Sequence, residues 1–227
     1  MFKKKLLTAT LTPLAMIALS ASAAVVVQPT DVDASSFFSG SFDPSHVIDG
    51  SGLGPGGSDV ETGDPVPSTW PTNINDSNTR SASWVSVNND DNGWIMFDLG
   101  QSYELDGMHI WNYNSPESRG IEDVNIKFAT TLTGTFGSTD ETDTGWGTAT
   151  AETFTQASKL NTYTGETYSL GSTVTARYVL FDIQTNYGDS YVGLDEVRFT
   201  GTAVPEPSSF ALLASCFGLT WIMVRRR

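Results

Sequence analysis

The chain has 227 residues, of which 39% are apolar and 11% aromatic, enough for one ordinary domain with a core plus processing segments at its ends. Its formal net charge of −14 argues against a surface for phosphate backbones or anionic lipid heads, so no nucleic-acid partner is expected. The single cysteine, Cys216, rules out an intrachain disulfide, so the domain is held by its core, or by its core plus a metal.

The ends mask part of the acidity. Lys3, Lys4, Lys5 and Arg225, Arg226, Arg227 lie at the extremes, and without them and Glu206 the middle keeps six basic against 25 acidic residues. The excess serves solubility, or some of the carboxylates hold calcium. Gly, Ser, Thr, Asn and Asp fill the gaps between apolar runs, the composition of a many-turned β protein.

Residues 1–23 read as a secretory signal: a Lys3–Lys5 positive start, an apolar stretch from Leu6 to Leu19, and Ala21-Ser22-Ala23 as a small-x-small cleavage pattern. Pro13 argues against a stable spanning helix, and the mature chain is expected to begin near Ala24. Residues 24–50 hold short β-prone pieces, with Phe37-Phe38 after a serine pair and Val47-Ile48-Asp49-Gly50 closing a strand or turn. Residues 51–83 then run without a periodic segment; loops this long tend to be functional or mobile. Trp70 is the large apolar group within it, either an exposed binding residue or a pin that fastens the loop to the body.

Trp94–Asn114 reads as strand, turn, strand. Ile95, Phe97 and Leu99 alternate with Trp94, Met96 and Asp98; Gly100 stops the run; Met108 and Ile110 alternate with His109 and Trp111. His109 is expected to point outward from its strand. A loop with Pro116 and Arg119 follows, then a strand with Val124, Ile126 and Phe128. Residues 130–150 read as a long loop, Glu166–Leu170 as a weak strand, and Tyr178–Ile183 as a strand buried on both faces. Val192, Leu194, Val197 and Phe199 close the set, with Gly201 as the stop. No helical period of ten residues occurs between 25 and 200, so the expected class is all-β, a sandwich of short strands.

The tail has its own character. Pro205-Glu206-Pro207 is a rigid turn, Phe210–Val224 carries no charge, and Arg225–Arg227 follow. With Ser208 and Ser209 the apolar run gives a transmembrane helix of about 208–224, its arginines on the cytoplasmic side. This order of features resembles the PEP-CTERM sorting signal of Gram-negative bacteria. The resemblance implies processing by an exosortase-type membrane enzyme and an association with exopolysaccharide or biofilm; the other reading is a plain membrane anchor. The expected location is an inner-membrane precursor, then the cell surface or matrix.

The middle, from Ala34 to Gly201, resembles the discoidin-like (coagulation-factor C-type) domain, a galactose-binding-like jelly roll. The matching pieces are Val47–Gly50, Trp84, WIMFDLG at Trp94–Gly100, ARYV at Ala176–Val179, and GLDEVRF at Gly193–Phe199. The domain is therefore placed at 24–203. The resemblance implies a structural calcium held by Asp49, Glu196 and carbonyls near His46 and Ser51, oxygen donors of the kind calcium requires. The 33-residue insertion between Gly50 and Trp84 leaves the family's hydroxyl ligand without a counterpart. Sugar-binding relatives use loops at one end of the sandwich, which makes Trp70, Asn114, Arg119 and Tyr187 glycan candidates, each with a structural role as the alternative.

No catalytic arrangement stands out. His46 and His109 are far apart, and G-x-S-x-G, H-E-x-x-H and phosphate-loop patterns are absent. The expected function is a non-catalytic glycan-binding surface or matrix protein. The competing function is a structural matrix protein with the same sandwich and no sugar site; an enzyme acting on polysaccharide is the third.

Overall fold

The computed structural model describes residues 23–57, 60–74, 82–138 and 140–205. The expected signal segment up to Ser22, the Glu206-Pro207 part of the sorting motif and the apolar tail lie outside them; Pro205 is described and exposed. Among the described residues no helix is long and apolar enough to cross a membrane.

Eight strands are described: β1 (Val25–Val27), β2 (Asp31–Ala34), β3 (Trp84–Val85), β4 (Trp94–Asn112), β5 (Asp123–Ala129), β6 (Thr150–Thr153), β7 (Glu166–Ile183) and β8 (Gly193–Ala203). Every pairing between them is antiparallel. Helical structure among the described residues is limited to short 3-10 turns.

The strand–turn–strand expected at 94–114 is a single strand of 19 residues. Likewise the two strands expected at 166–170 and 178–183 are one strand of 18. Both strands serve two layers. Residues 94–98 of β4 lie between β2 and residues 178–182 of β7, with β5 and β6 outward of β7. Residues 103–112 of β4 pair with β8 in place of β2, keeping β7 on the other edge as far as Ile110, and β8 carries β1 and β3 on its far side. Between these halves β4 advances from Asp98 to Tyr103 while β7 retreats only from Tyr178 to Ala176. That bulge contains Gly100 at φ +81°, a conformation open to glycine at little cost, so the residue expected to end the strand bends it instead.

The layers close on an aromatic core. Phe97 meets Phe181 at 5.2 Å and Phe199 at 5.7 Å between ring centroids, edge to face, and Phe154 meets Phe181 at 5.5 Å. Around them sit Ile95, Leu99, Val124 and Ile126, which the alternation placed inside, with Leu194 and Val197 of β8, all buried.

A second, smaller core lies under the insertion. Val26, Leu53, Val60, Trp70, Trp111, Ala157 and Tyr163 pack together there. Trp70 stacks on His109 at 4.2 Å and 13°, sets its edge against Trp111 at 5.6 Å, and is 9% exposed. The Trp111 indole N–H donates to the Pro71 carbonyl at 2.9 Å. Trp70 is thus the pin of the insertion. His109 points away from the main core, as its place in the alternation requires, and the pinned loop buries it.

Its ring is held neutral. Nε2 lies 2.7 Å from the Thr164 carbonyl, which only accepts, so Nε2 carries the proton and Nδ1 accepts from the Thr167 hydroxyl at 2.7 Å. Burial pushes the His109 pKa down from 6.5 to about 4, with the Thr164 carbonyl acting the other way.

Two outcomes are expected. Trp70→Ala should lower unfolding free energy by about 3 kcal/mol, the low end for loss of a large aromatic, since only the insertion's attachment is lost; urea denaturation and faster proteolysis within residues 60–74 measure it. Because the unfolded chain protonates His109 first, its contribution is full above pH 6.5 and lost as pH falls toward 4, a change of about 3 kcal/mol that a His109→Gln variant should lack in pH-dependent denaturation.

Candidate functional site

Four loops that connect the strands converge on one cleft: residues 35–42, 86–93, 115–120 and 184–192. The first is fixed to the second by backbone and side chain. The Phe38 N–H donates to the Val85 carbonyl at 2.8 Å, the Trp84 indole N–H to the Ser36 carbonyl at 2.8 Å, and both Ser35 and Ser36 hydroxyls donate to the Asp90 carboxylate. The second is fixed to the fourth. The Asn89 N–H reaches the Ser190 carbonyl at 2.8 Å, and the Ser86 hydroxyl bridges, donating to the Asp90 carbonyl and accepting from the Val192 N–H at 3.0 Å. The Asn186 amide holds the fourth loop in shape by donating to the Asp189 and Tyr191 carbonyls at 2.8 Å each. The third loop joins through Arg119, whose Nε lies 3.4 Å from Asp189, and through Ser118, which donates to the same carboxylate.

The cleft has a volume of about 250 Å³ and is lined by Phe38, Phe42, Val85, Arg119 and Tyr191. Phe38 stands edge-on to Phe42 at 5.9 Å and to Tyr191 at 5.8 Å, yet 54% of its surface is exposed. Phe37 and Val87 beside it are also exposed. The Arg119 guanidinium lies 4.6 Å above the Tyr191 ring. This stacking orients a planar donor in the cleft lining, and the Asp189 ion pair holds it from another side. A rigid aromatic face beside oriented N–H donors can bind a ring that is apolar on one side and bears hydroxyls at its edge.

Of the four residues named as glycan candidates, the structure brings Arg119 and Tyr187 to this end of the molecule. Tyr187 is half-buried; its N–H meets the Gly120 carbonyl and its hydroxyl donates to the Phe154 carbonyl at 2.6 Å, so it shapes the loop base. Trp70 is committed to the second core, as described. Asn114 is fully enclosed, its amide donating to the Leu160 carbonyl at 3.0 Å and its backbone N–H to Asp195 at 3.0 Å, out of reach of a ligand. Sequence reasoning passed over Phe38, Phe42 and Tyr191. The available signal was aromatic residues set among turn formers, as in Ser35–Phe42, where an apolar side chain has no strand to bury it.

The residues named for calcium do come together, but not as an open oxygen cage. Glu196 is fully buried on β8, and its two oxygens accept from the Gly50 N–H at 3.3 and 3.1 Å. The Arg198 guanidinium bonds to the same carboxylate. Burial raises the Glu196 carboxyl, while the guanidinium and the Gly50 amide act against that rise. Asp49 turns away to its own loop, accepting from the Ser51 N–H at 2.8 Å and lying 3.2 Å from His46 Nδ1. The Glu196 oxygens named for calcium are thus already engaged, by a fixed cation and a backbone amide.

Residues 73–181 match the family model described as a NedA-like, galactose-binding domain, which supports the discoidin-like resemblance of the middle of the chain. No curated protein matches the chain. Among solved structures, the family 32 carbohydrate-binding module of NanJ from C. perfringens, in complex with galactose, is 16% identical with a TM-score of 0.50, covering 78% of this chain and 98% of that one. A truncated AlyQ with carbohydrate-binding and alginate lyase domains is 18% identical with a TM-score of 0.49; the match covers 82% of this chain but 36% of AlyQ. Chitosan-binding module 1 of a chitosanase/glucanase from Paenibacillus sp. IK-5 is 18% identical with a TM-score of 0.48, over 77% and 96%. The fold is an all-β, antiparallel, galactose-binding-like jelly roll.

Proposed function

We propose that the chain is a non-catalytic glycan-binding protein and that its ligand occupies the cleft of Phe38, Phe42, Val85, Arg119 and Tyr191. One observation carries the reading: an exposed phenylalanine face beside a guanidinium held in place by Tyr191 and Asp189. A sugar's C–H face stacks on an aromatic ring, and its hydroxyls accept from planar N–H donors. The jelly-roll fold supports the same reading. The lining residues include no carboxylate, whereas glycoside hydrolysis ordinarily uses a pair of them. The ligand class is a neutral glycan rather than a polyanion.

Affinity electrophoresis against neutral galactose- and glucose-containing polysaccharides and against the host's own polysaccharide tests this. Phe38→Ala and Arg119→Ala should each weaken retention by about tenfold or more, the cost of a central aromatic or arginine contact, with thermal melting within a few degrees of wild type. Wild-type protein that no polysaccharide retards would leave the sandwich as a structural matrix component.

The ends of the chain set the address. The signal-like start and the Pro205-Glu206-Pro207 turn with its apolar run support export, exosortase processing and delivery to the surface or an exopolysaccharide matrix. The two prolines restrict the backbone on either side of Glu206 and keep an extended recognition segment next to the apolar run. Intact-mass measurement on protein from the native host should show loss of residues 1–23 and of the run after Pro207; a surface form that retains Phe210–Arg227 would reduce the tail to an anchor.

A further inference from the structure

The buried arginine on β8 does what the resemblance assigns to a metal. Arg198 is 1% exposed. Its Nε–H donates to the Val60 carbonyl at 2.8 Å, its Nη1 donates to Glu196 and to the Val197 carbonyl at 2.7 Å, and Nη2 lies against Gly50. Three separate parts of the chain meet on this one group: β8 through Glu196 and Val197, the early turn through Gly50, and the insertion through Val60. Gly50 takes φ +74° there, which aims its N–H at the Glu196 carboxylate. The remaining face of the guanidinium borders a cleft of about 380 Å³ shared with Gln28, Asp49, Gly50 and Glu61.

A bound divalent cation would do the same work: neutralise Glu196 and draw carbonyls from separate segments onto one centre. Here those partners already surround a permanent charge. A second cation placed against Glu196 would meet the guanidinium at contact distance, and like charges that close repel. Arginine stays protonated at every pH at which proteins fold, and chelators do not remove it.

We propose that Arg198 is the built-in cation of this domain, tying the early turn and the insertion to β8 through Glu196, so that the fold requires no divalent metal. The reading is independent of the glycan cleft.

Thermal melting of the full chain in excess EDTA and in millimolar calcium chloride at matched ionic strength tests it. A resident calcium site of micromolar affinity would raise the melting temperature by about 5–10 °C between these conditions. The wild type should instead melt at the same temperature in both. Arg198→Met keeps the bulk and strands the Glu196 charge, so it should lower the melting temperature by about 10 °C or more. Adding Glu196→Gln to Arg198→Met removes the stranded charge and should recover part of that loss, and the double variant also serves if the single one fails to fold. A rise of several degrees for wild type in calcium would overturn the proposal. So would an Arg198→Met variant that melts with wild type, or a double variant no more stable than the single one.

Discussion

The Asp98 carboxylate accepts from the Gly100 N–H at 2.7 Å and from the Arg177 guanidinium at 2.9 and 2.8 Å, and this clamp stands where β4 passes from one layer to the other. Asp98 is on β4 and Arg177 on β7, the two strands that serve both layers. The pair therefore ties the two bends together across the interstrand gap. A bidentate arginine–carboxylate contact constrains angle as well as distance. Arg177 is partly open to solvent, so the Coulombic gain is modest, and the contribution is geometric: it sets where each strand changes partners. Everything downstream follows from that crossing. β8 can pair with the second half of β4 only because the first half has already turned away to β2.

The same bend explains what was legible in the sequence. Alternation of apolar and polar residues marked the inward faces of β4 and β5 correctly, because that period is a property of the extended backbone. It could not tell two strands from one bent strand. Gly100 and the polar residues after it carry the signature of a turn, and a bulge with positive φ has the same composition. β2 escaped notice for another reason. In Asp31–Ala34, Asp31 and Asp33 cap the next residue's N–H, at 2.9 Å in each case, and an edge strand of alternating aspartates has no apolar run to reveal it. Its register against β4 is a tertiary fact.

The insertion shows how burial decides between roles that sequence leaves open. A tryptophan in a polar loop can be a ligand platform or an anchor. Trp70 has His109 beneath it and Trp111 at its edge, so its apolar surface is already used. Leu53 and Val60 are spent in the same way. Phe37 and Phe38 lie in a short serine- and glycine-rich segment with no second core to enter, and they remain exposed. The candidate site was thus legible only through Arg119; its aromatic half depended on knowing which rings the fold would consume. Glu196 and Arg198 were two apart on one strand face, a spacing visible in the sequence, but that they answer each other was not.

The distribution of charge narrows what the cleft can accept. Each lysine and arginine among the described residues lies in an ion pair: Arg119 with Asp189, Lys127 with Asp182, Lys159 with Glu117, Arg177 with Asp98 and Arg198 with Glu196. The charge left over is carboxylate, with 25 acidic against six basic residues between the chain's ends. A polyanionic chain approaching Arg119 would meet a cation already matched by Asp189 and, beyond it, a field of its own sign. A neutral sugar avoids that cost. It needs only the N–H donors that Arg119 has free of Asp189 and the face of Phe38, and both are oriented before a ligand arrives, so little side-chain entropy opposes binding. On the proposed reading, charge sets the class of ligand that the acidic surface tolerates, and the ring and the guanidinium set where on that surface it would sit.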